Sequence, residues 1–129
     1  MKLLDASAIF NLFLNGKYSI LIDGATIPLA RYEIGNVLWK NLKIRNRISK
    51  KEATDSGNVL FELIDSMEQI VPRPNSALSL SLELDLTFYD SSYLVAAIEA
   101  GCELVTDDMK LHRIASSKVP TRKSSDLYV

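Results

Sequence analysis

The stretch Phe88–Asp108, FYDSSYLVAAIEAGCELVTDD, reads as a helix, a stop, and a strand running into acids. The apolar spacing from Phe88 to Ala100 predicts a helix. Gly101 stands where a helix end wants a residue free to adopt positive φ. Glu103–Val105 is then a short strand, followed by Thr106, Asp107 and Asp108. The same alternation of helical stretches and short apolar runs extends toward both termini. Residues 2–4 read as a first strand and 6–14 as a helix. Ala25–Ile27 gives a second strand. Pro28 is well placed to open a helix running to about Arg47, with Ile34, Val37, Leu38 and Leu42 on one face. Ser49 and Glu52 form an S-x-x-E capping box before a helix over 51–68. Gln69–Val71 is a third strand, ended by Pro72 and Pro74. A short helix over 108–116 and an edge strand over Val119–Thr121 complete the pattern. Such alternation predicts an α/β fold with a mostly parallel sheet and helices on its faces.

Residues 76–86, SALSLSLELDL, place leucine at every second position, as a half-buried strand does. Leucine is nonetheless a better helix former than strand former. Asn75, after two prolines, also makes a helix start, so we read this segment as helix.

The chain has 129 residues, 47% hydrophobic and 24% charged, which suits a single globular domain over 1–129. No apolar run approaches the ~20 residues of a membrane span, and nothing resembles a signal peptide. Cytoplasmic residence is the expectation, and the single Cys102 agrees with it. One Cys and one His exclude a zinc site of the usual kind, and a two-histidine ribonuclease as well. The net charge of −1 does not announce nucleic-acid binding. The distribution is less even: KNLKIRNRISKK, residues 40–51, carries no acid. Its Lys43, Arg45 and Arg47 are candidates for RNA contact, although basic residues also suit a helix C-terminus.

Four carboxylates occupy strand ends or opening helical turns: Asp5, Glu33, Asp90 and Asp108. In a parallel α/β layer those positions share one edge, where open sheets build their ligand crevice. Each acid has a plainer role. Asp5 suits an N-cap, Asp90 has capping-box spacing from Thr87, and Asp107 or Asp108 suits the cap of the last helix. A surface Glu33 in an early helical turn is ordinary. The set carries more weight than its members. Two like charges at ~4 Å cost ~1 kcal/mol in water and ~4 kcal/mol at an effective dielectric of ~20. A divalent cation relieves that repulsion, and hard oxygen ligands favour Mg²⁺ or Mn²⁺.

In order, LLDASAIFNLF, EIGNVLWK, LTFYDSSYLVAAIEAG and LVTDDMKL resemble the motifs of PIN-domain ribonucleases, in particular the VapC-type toxins of toxin–antitoxin pairs. The resemblance covers nearly the whole chain. It implies a three-layer α/β/α sandwich with a parallel sheet of about five strands. It also implies an acidic pocket holding Mg²⁺ or Mn²⁺ and hydrolysis of RNA. The T-x-D pattern selects Asp108 as the fourth family acid. Asp5, Asp90 and Asp108 are then the expected metal ligands, and Glu33 is expected to hold a water on the ion or to ligate a second ion. Ser7 and Thr106 are carried over as secondary hydroxyls, and Asp107 is an added acid of unsettled role. The implied partners are an RNA substrate, a cognate antitoxin and a second copy of the chain in a homodimer. Two other readings stay open: a catalytically idle PIN-like binding module, and a phospho-aspartate phosphatase or receiver. The latter fits poorly, because a D-x-D nucleophile motif would need an acid where Ser7 stands.

Overall fold

The computed structural model describes residues 1–128 of the chain. Its elements run β1 (Lys2–Leu4), α1 (Ala6–Leu14), α2 (Tyr18–Asp23), β2 (Ala25–Thr26), α3 (Ala30–Lys43), α4 (Lys50–Ser66), β3 (Glu68–Gln69), α5 (Pro74–Leu84), α6 (Phe88–Ala100), β4 (Glu103–Val105), α7 (Met109–Ala115) and β5 (Thr121–Arg122). A 3₁₀ turn follows at Ser124–Leu127. The strands form one sheet in the order β3-β2-β1-β4-β5, and every pairing is parallel. Helices cover the sheet, giving the three-layer α/β/α sandwich.

Burial concentrates in the middle strands of the sheet, whereas β5 is half-buried and β3 exposed. Leu3, Leu4, Leu104 and Val105 are fully buried. Each such side chain contributes roughly 1.5–3 kcal/mol by leaving water. Register pairs Leu3 with Leu104 and Leu4 with Val105, so the residues that follow, Asp5 and Thr106, emerge side by side. The order also reverses here. From β1 the chain builds outward to β2 and β3 on one side, then returns to β4 on the other. The C-terminal ends of β1 and β4 therefore flank the topological switch point, where open α/β sheets leave a crevice.

The segment read as helix despite its alternation is α5. Ala77 and Ser81 are buried, with Leu80 and Leu84 packed on the core, while Leu78 and Leu82 face outward. Every second leucine thus points in at i, i+4 spacing. The Ser91 hydroxyl donates to Ala77 O (2.7 Å) and pins α5 to α6. Gly101 has φ +67°, the left-handed cap foreseen for α6. The capping box of Ser49 and Glu52 is formed in both directions.

Most boundaries move by one or two residues, β2 stopping at Thr26 and α4 at Ser66, and three shifts have an evident cause. α3 ends at Lys43 rather than near Arg47, because residues 43–47 are all exposed and no packing sustains the helix. Asn46, at φ +50°, then turns the chain toward α4. The third strand is Glu68–Gln69, not Gln69–Val71. β2 offers two residues to pair with, Ala25 to Glu68 and Thr26 to Gln69. The edge strand is Thr121–Arg122, not Val119–Thr121, since Pro120 has no N–H and enters the ladder only through its carbonyl, which accepts from Leu104 N (2.9 Å). α2 and the 3₁₀ turn have no clear sequence signal. Among the described residues, no helix is long and apolar enough to cross a membrane.

Candidate active site

Asp5 ends β1 and caps α1. Its Oδ1 accepts from Ala8 N (2.9 Å) and Ser7 Oγ (2.7 Å). Its Oδ2 accepts from the Thr106 hydroxyl. Thr106 Oγ1 in turn accepts from Asp108 N (3.1 Å), so one buried hydroxyl links the ends of β1 and β4. Asp108 caps α7, with Oδ1 accepting from Leu111 N (2.8 Å). Two of the four acids are thus N-caps as well as members of the cleft.

Asp90 is not a cap. Thr87 caps α6, its Oγ1 accepting from Asp90 N (3.1 Å), which leaves the Asp90 carboxylate free to face the cleft. Glu33, in the first turn of α3, points the same way. Asp5, Glu33, Asp90 and Asp108 all line a single cleft of about 470 Å³ at the switch point, together with Ser7. Asn36, Val37 and Lys40 continue the lining along α3. They follow Glu33 at helical spacing, the signal by which the sequence could have exposed them.

Crowding of acids out of water shows in their titration. Burial pushes Asp5 up to about 7. The hydrogen bonds from Thr106, Ser7 and Ala8 oppose this, and the Asp90 charge adds to it. Glu33 is raised, first by burial and then by Asp90, with the nearby Tyr93 hydroxyl pulling the other way. Asp90 is raised by burial and by Asp108, partly offset by Thr87 and Lys110. Tyr93 lies at the back of the cleft and is almost fully buried. Its hydroxyl and Glu33 Oε1 are buried polar atoms that stand close together, outside hydrogen-bonding geometry and without any other partner.

Asp107 plays a different part. Its carboxylate accepts from Asn11 Nδ2 (2.7 Å), Ser124 N (2.8 Å) and Ser124 Oγ (2.5 Å). Its own N–H donates to Ser7 Oγ (3.0 Å). The residue ties the C-terminal turn to α1 and does not line the cleft. Lys43, Arg45 and Arg47 are exposed at the far end of α3 and in the following loop; the lysine in the cleft wall is Lys40.

Among the described residues, no three acids, histidines or cysteines stand close enough to ligate an ion directly as they are placed. The donor chemistry still suits a hard divalent ion. The set is all carboxylate, three of its members titrate high, and Glu33 Oε1 is a buried acceptor with nothing to accept.

Comparison with known proteins agrees with this arrangement. Exonuclease VapC9 of Pyrobaculum aerophilum is 33% identical over 88 residues, which span 67% of this chain and 63% of that protein. Ribonuclease VapC3 of the same organism is 31% identical over 122 residues, covering 86% of this chain and 92% of its own. The crystal structure of PAE2754 from Pyrobaculum aerophilum superposes with a TM-score of 0.81 at 28% identity, over 98% of this chain and 92% of that one. No family model matches. With its parallel sheet, its acids at the switch point and a relative matched along nearly its full length, the chain belongs to the VapC family of PIN-domain proteins.

Proposed function

We propose that the chain is a divalent-metal-dependent endoribonuclease, the toxin of a toxin–antitoxin pair, working in the cytoplasm. The observation that carries this reading is the convergence of Asp5, Glu33, Asp90 and Asp108 on one cleft, with Glu33 Oε1 left without a partner. The names of the two curated relatives, an exonuclease and a ribonuclease, support the same chemistry.

Asp5, Asp90 and Asp108 would hold Mg²⁺ or Mn²⁺, in part through water. The ion would neutralise charge on the phosphate and lower the pKa of a nearby water. The Glu33 carboxylate would hold a water beside the ion and accept its proton, a task that its pKa, raised by burial, favours. Ser7 and Thr106 hold the Asp5 carboxylate in one orientation. Lys40 meets a phosphate next to the scissile one, as a flexible point charge can.

The phospho-aspartate alternative has no free nucleophile. Both Asp5 oxygens accept hydrogen bonds from Ser7, Ala8 and Thr106, and the side chain is buried.

The antitoxin is proposed to dock on the α3–α4 hairpin. Trp39, Ile44, Val59 and Phe61 are exposed there, whereas Leu60 turns into the core. A basic side chain of that partner would pair with the cleft acids. A separate contact would join two copies of the chain. The test of the function is cleavage of labelled RNA in a titration of Mn²⁺ and Mg²⁺. Saturable cleavage that EDTA abolishes supports the reading; intact RNA at every metal concentration overturns it.

A further inference from the structure

A second cavity adjoins the acidic cleft, and its chemistry is opposite. It holds about 280 Å³ and is walled by Ile27, Leu29, Pro72, Pro74, Phe88 and Tyr89. Ser92 also reaches it, but its hydroxyl is already donated to Phe88 O (2.8 Å). Leu29 and Tyr89 line both cavities, so the two lie side by side across these residues.

We propose that this pocket takes an unpaired nucleobase next to the scissile phosphate, with the Tyr89 ring as its stacking wall. The inference rests on the nuclease reading of the acidic cleft. Tyr89 and Asp90 are consecutive in the first turn of α6, their Cα atoms about 3.8 Å apart. Both side chains line the acidic cleft, so a strand whose phosphate reaches Asp90 runs past the Tyr89 ring. The Phe88 and Tyr89 rings are 42% and 54% exposed, with centroids 6.3 Å apart and planes at 63°. Each supports the other edge to face, so the wall exists before ligand arrives. On the opposite side of the cleft, Tyr32, 72% exposed, precedes Glu33 as Tyr89 precedes Asp90. Aromatic residues thus flank the acids on both helices.

The occupant follows from this chemistry. The pocket presents almost no polar surface, so a peptide backbone entering it would lose its hydrogen bonds to water without replacement. A base offers two apolar faces and can keep its polar edge at the open mouth. A base inside a duplex is already stacked and cannot enter, so the substrate at this point is single-stranded or looped. Beyond the Tyr89 hydroxyl and the acceptor side of Ser92, the lining side chains are apolar, so the pocket selects mainly by size and stacking strength.

The test is fluorescence anisotropy of a short labelled single-stranded RNA in EDTA, where no cleavage occurs. The same RNA is then made with one abasic nucleotide, moved along the strand. Wild type is expected to lose about tenfold in affinity at one abasic position, the usual effect of one base–aromatic stack. Tyr89→Leu should lose the same factor on the intact RNA and become indifferent to the abasic site, while Tyr89→Phe keeps wild-type behaviour. Wild-type affinity in Tyr89→Leu, or unchanged sensitivity to the abasic site, overturns the proposal and leaves the pocket to a protein side chain. Equal binding of a duplex, or no binding of any RNA, overturns it too. The two readings fail separately. Absence of metal-dependent cleavage with the abasic effect intact removes the nuclease reading alone. Cleavage with an unaltered KM in Tyr89→Leu removes the base pocket alone.

Discussion

The Tyr93 hydroxyl and Glu33 Oε1 are buried near one another at the back of the cleft, and neither completes a hydrogen bond. An unpaired buried donor costs on the order of 1–3 kcal/mol. Tyr93→Phe keeps the ring, which is 1% exposed, and deletes the orphaned hydroxyl. Folding stability is expected to hold or to rise by up to about 1 kcal/mol in urea denaturation. A loss of stability would show that the hydroxyl is satisfied in solution.

Asp90→Asn separates a structural role from a chemical one. Thr87, not Asp90, caps α6, and the Asp90 carboxylate is tied to no element other than its own helix start. The variant should fold with wild-type stability to within about 0.5 kcal/mol. Losing even a neighbour of a metal ligand commonly costs 10–100-fold, so activity should fall by at least about 100-fold. Undiminished cleavage would remove Asp90 from the site.

Stability should depend on pH in an unusual direction. Asp5, Glu33 and Asp90 are all raised in the folded chain. For Asp5, the folded protein still holds its proton between about 4 and about 7, where the unfolded chain has released it. Stability without metal should therefore fall as pH rises through that window and level off above about 7. Saturating Mn²⁺ should reverse the trend by binding only the folded, ionised site. Thermal melts across the window in EDTA and in Mn²⁺ are the measurement. Asp5→Asn retains an acceptor for the α1 cap and should flatten the EDTA curve. A rise of stability with pH in EDTA would contradict the crowding of these acids.

Thr106→Val is nearly isosteric at a fully buried position. It removes the donor to Asp5 Oδ2 and the acceptor for Asp108 N. The expected cost is about 1–3 kcal/mol of stability, with the Asp5 pKa climbing further. Thr106→Ser should restore both bonds. Carbon-detected NMR titration of the Asp5 carboxyl in the Val and Ser variants checks this directly.

Much of this site was legible because it depends on periodicity and caps. Gly101, the Ser49–Glu52 box and the position of each acid at a strand end or helix start all follow from local chemistry. The spacing Glu33, Asn36, Val37 and Lys40 is present in the sequence as well, but Lys40 also opens the basic run at 40–51, which gives it no distinction from Lys43, Arg45 and Arg47. What stayed hidden depends on contacts distant in the chain. Tyr93 reads as one more apolar residue of α6 until Glu33 is brought to it from α3. The bonds of Asp107 come from Asn11 and Ser124, which no local pattern associates with it. The ends of α3, β3 and β5 were set by how far neighbouring elements offered packing or pairing, which sequence alone does not record.

The clasp on Asp107 has a consequence for anyone shortening or tagging this chain. Ser124 supplies two of the three hydrogen bonds that hold that carboxylate away from the cleft. Ending the chain before Ser124 would leave the Asp107 carboxylate, one residue from Asp108, held by Asn11 alone and free to swing toward the other acids. The tail is thus a counterweight to the acids, and losing it would change the affinity of the cleft for cations without touching a single residue that lines it.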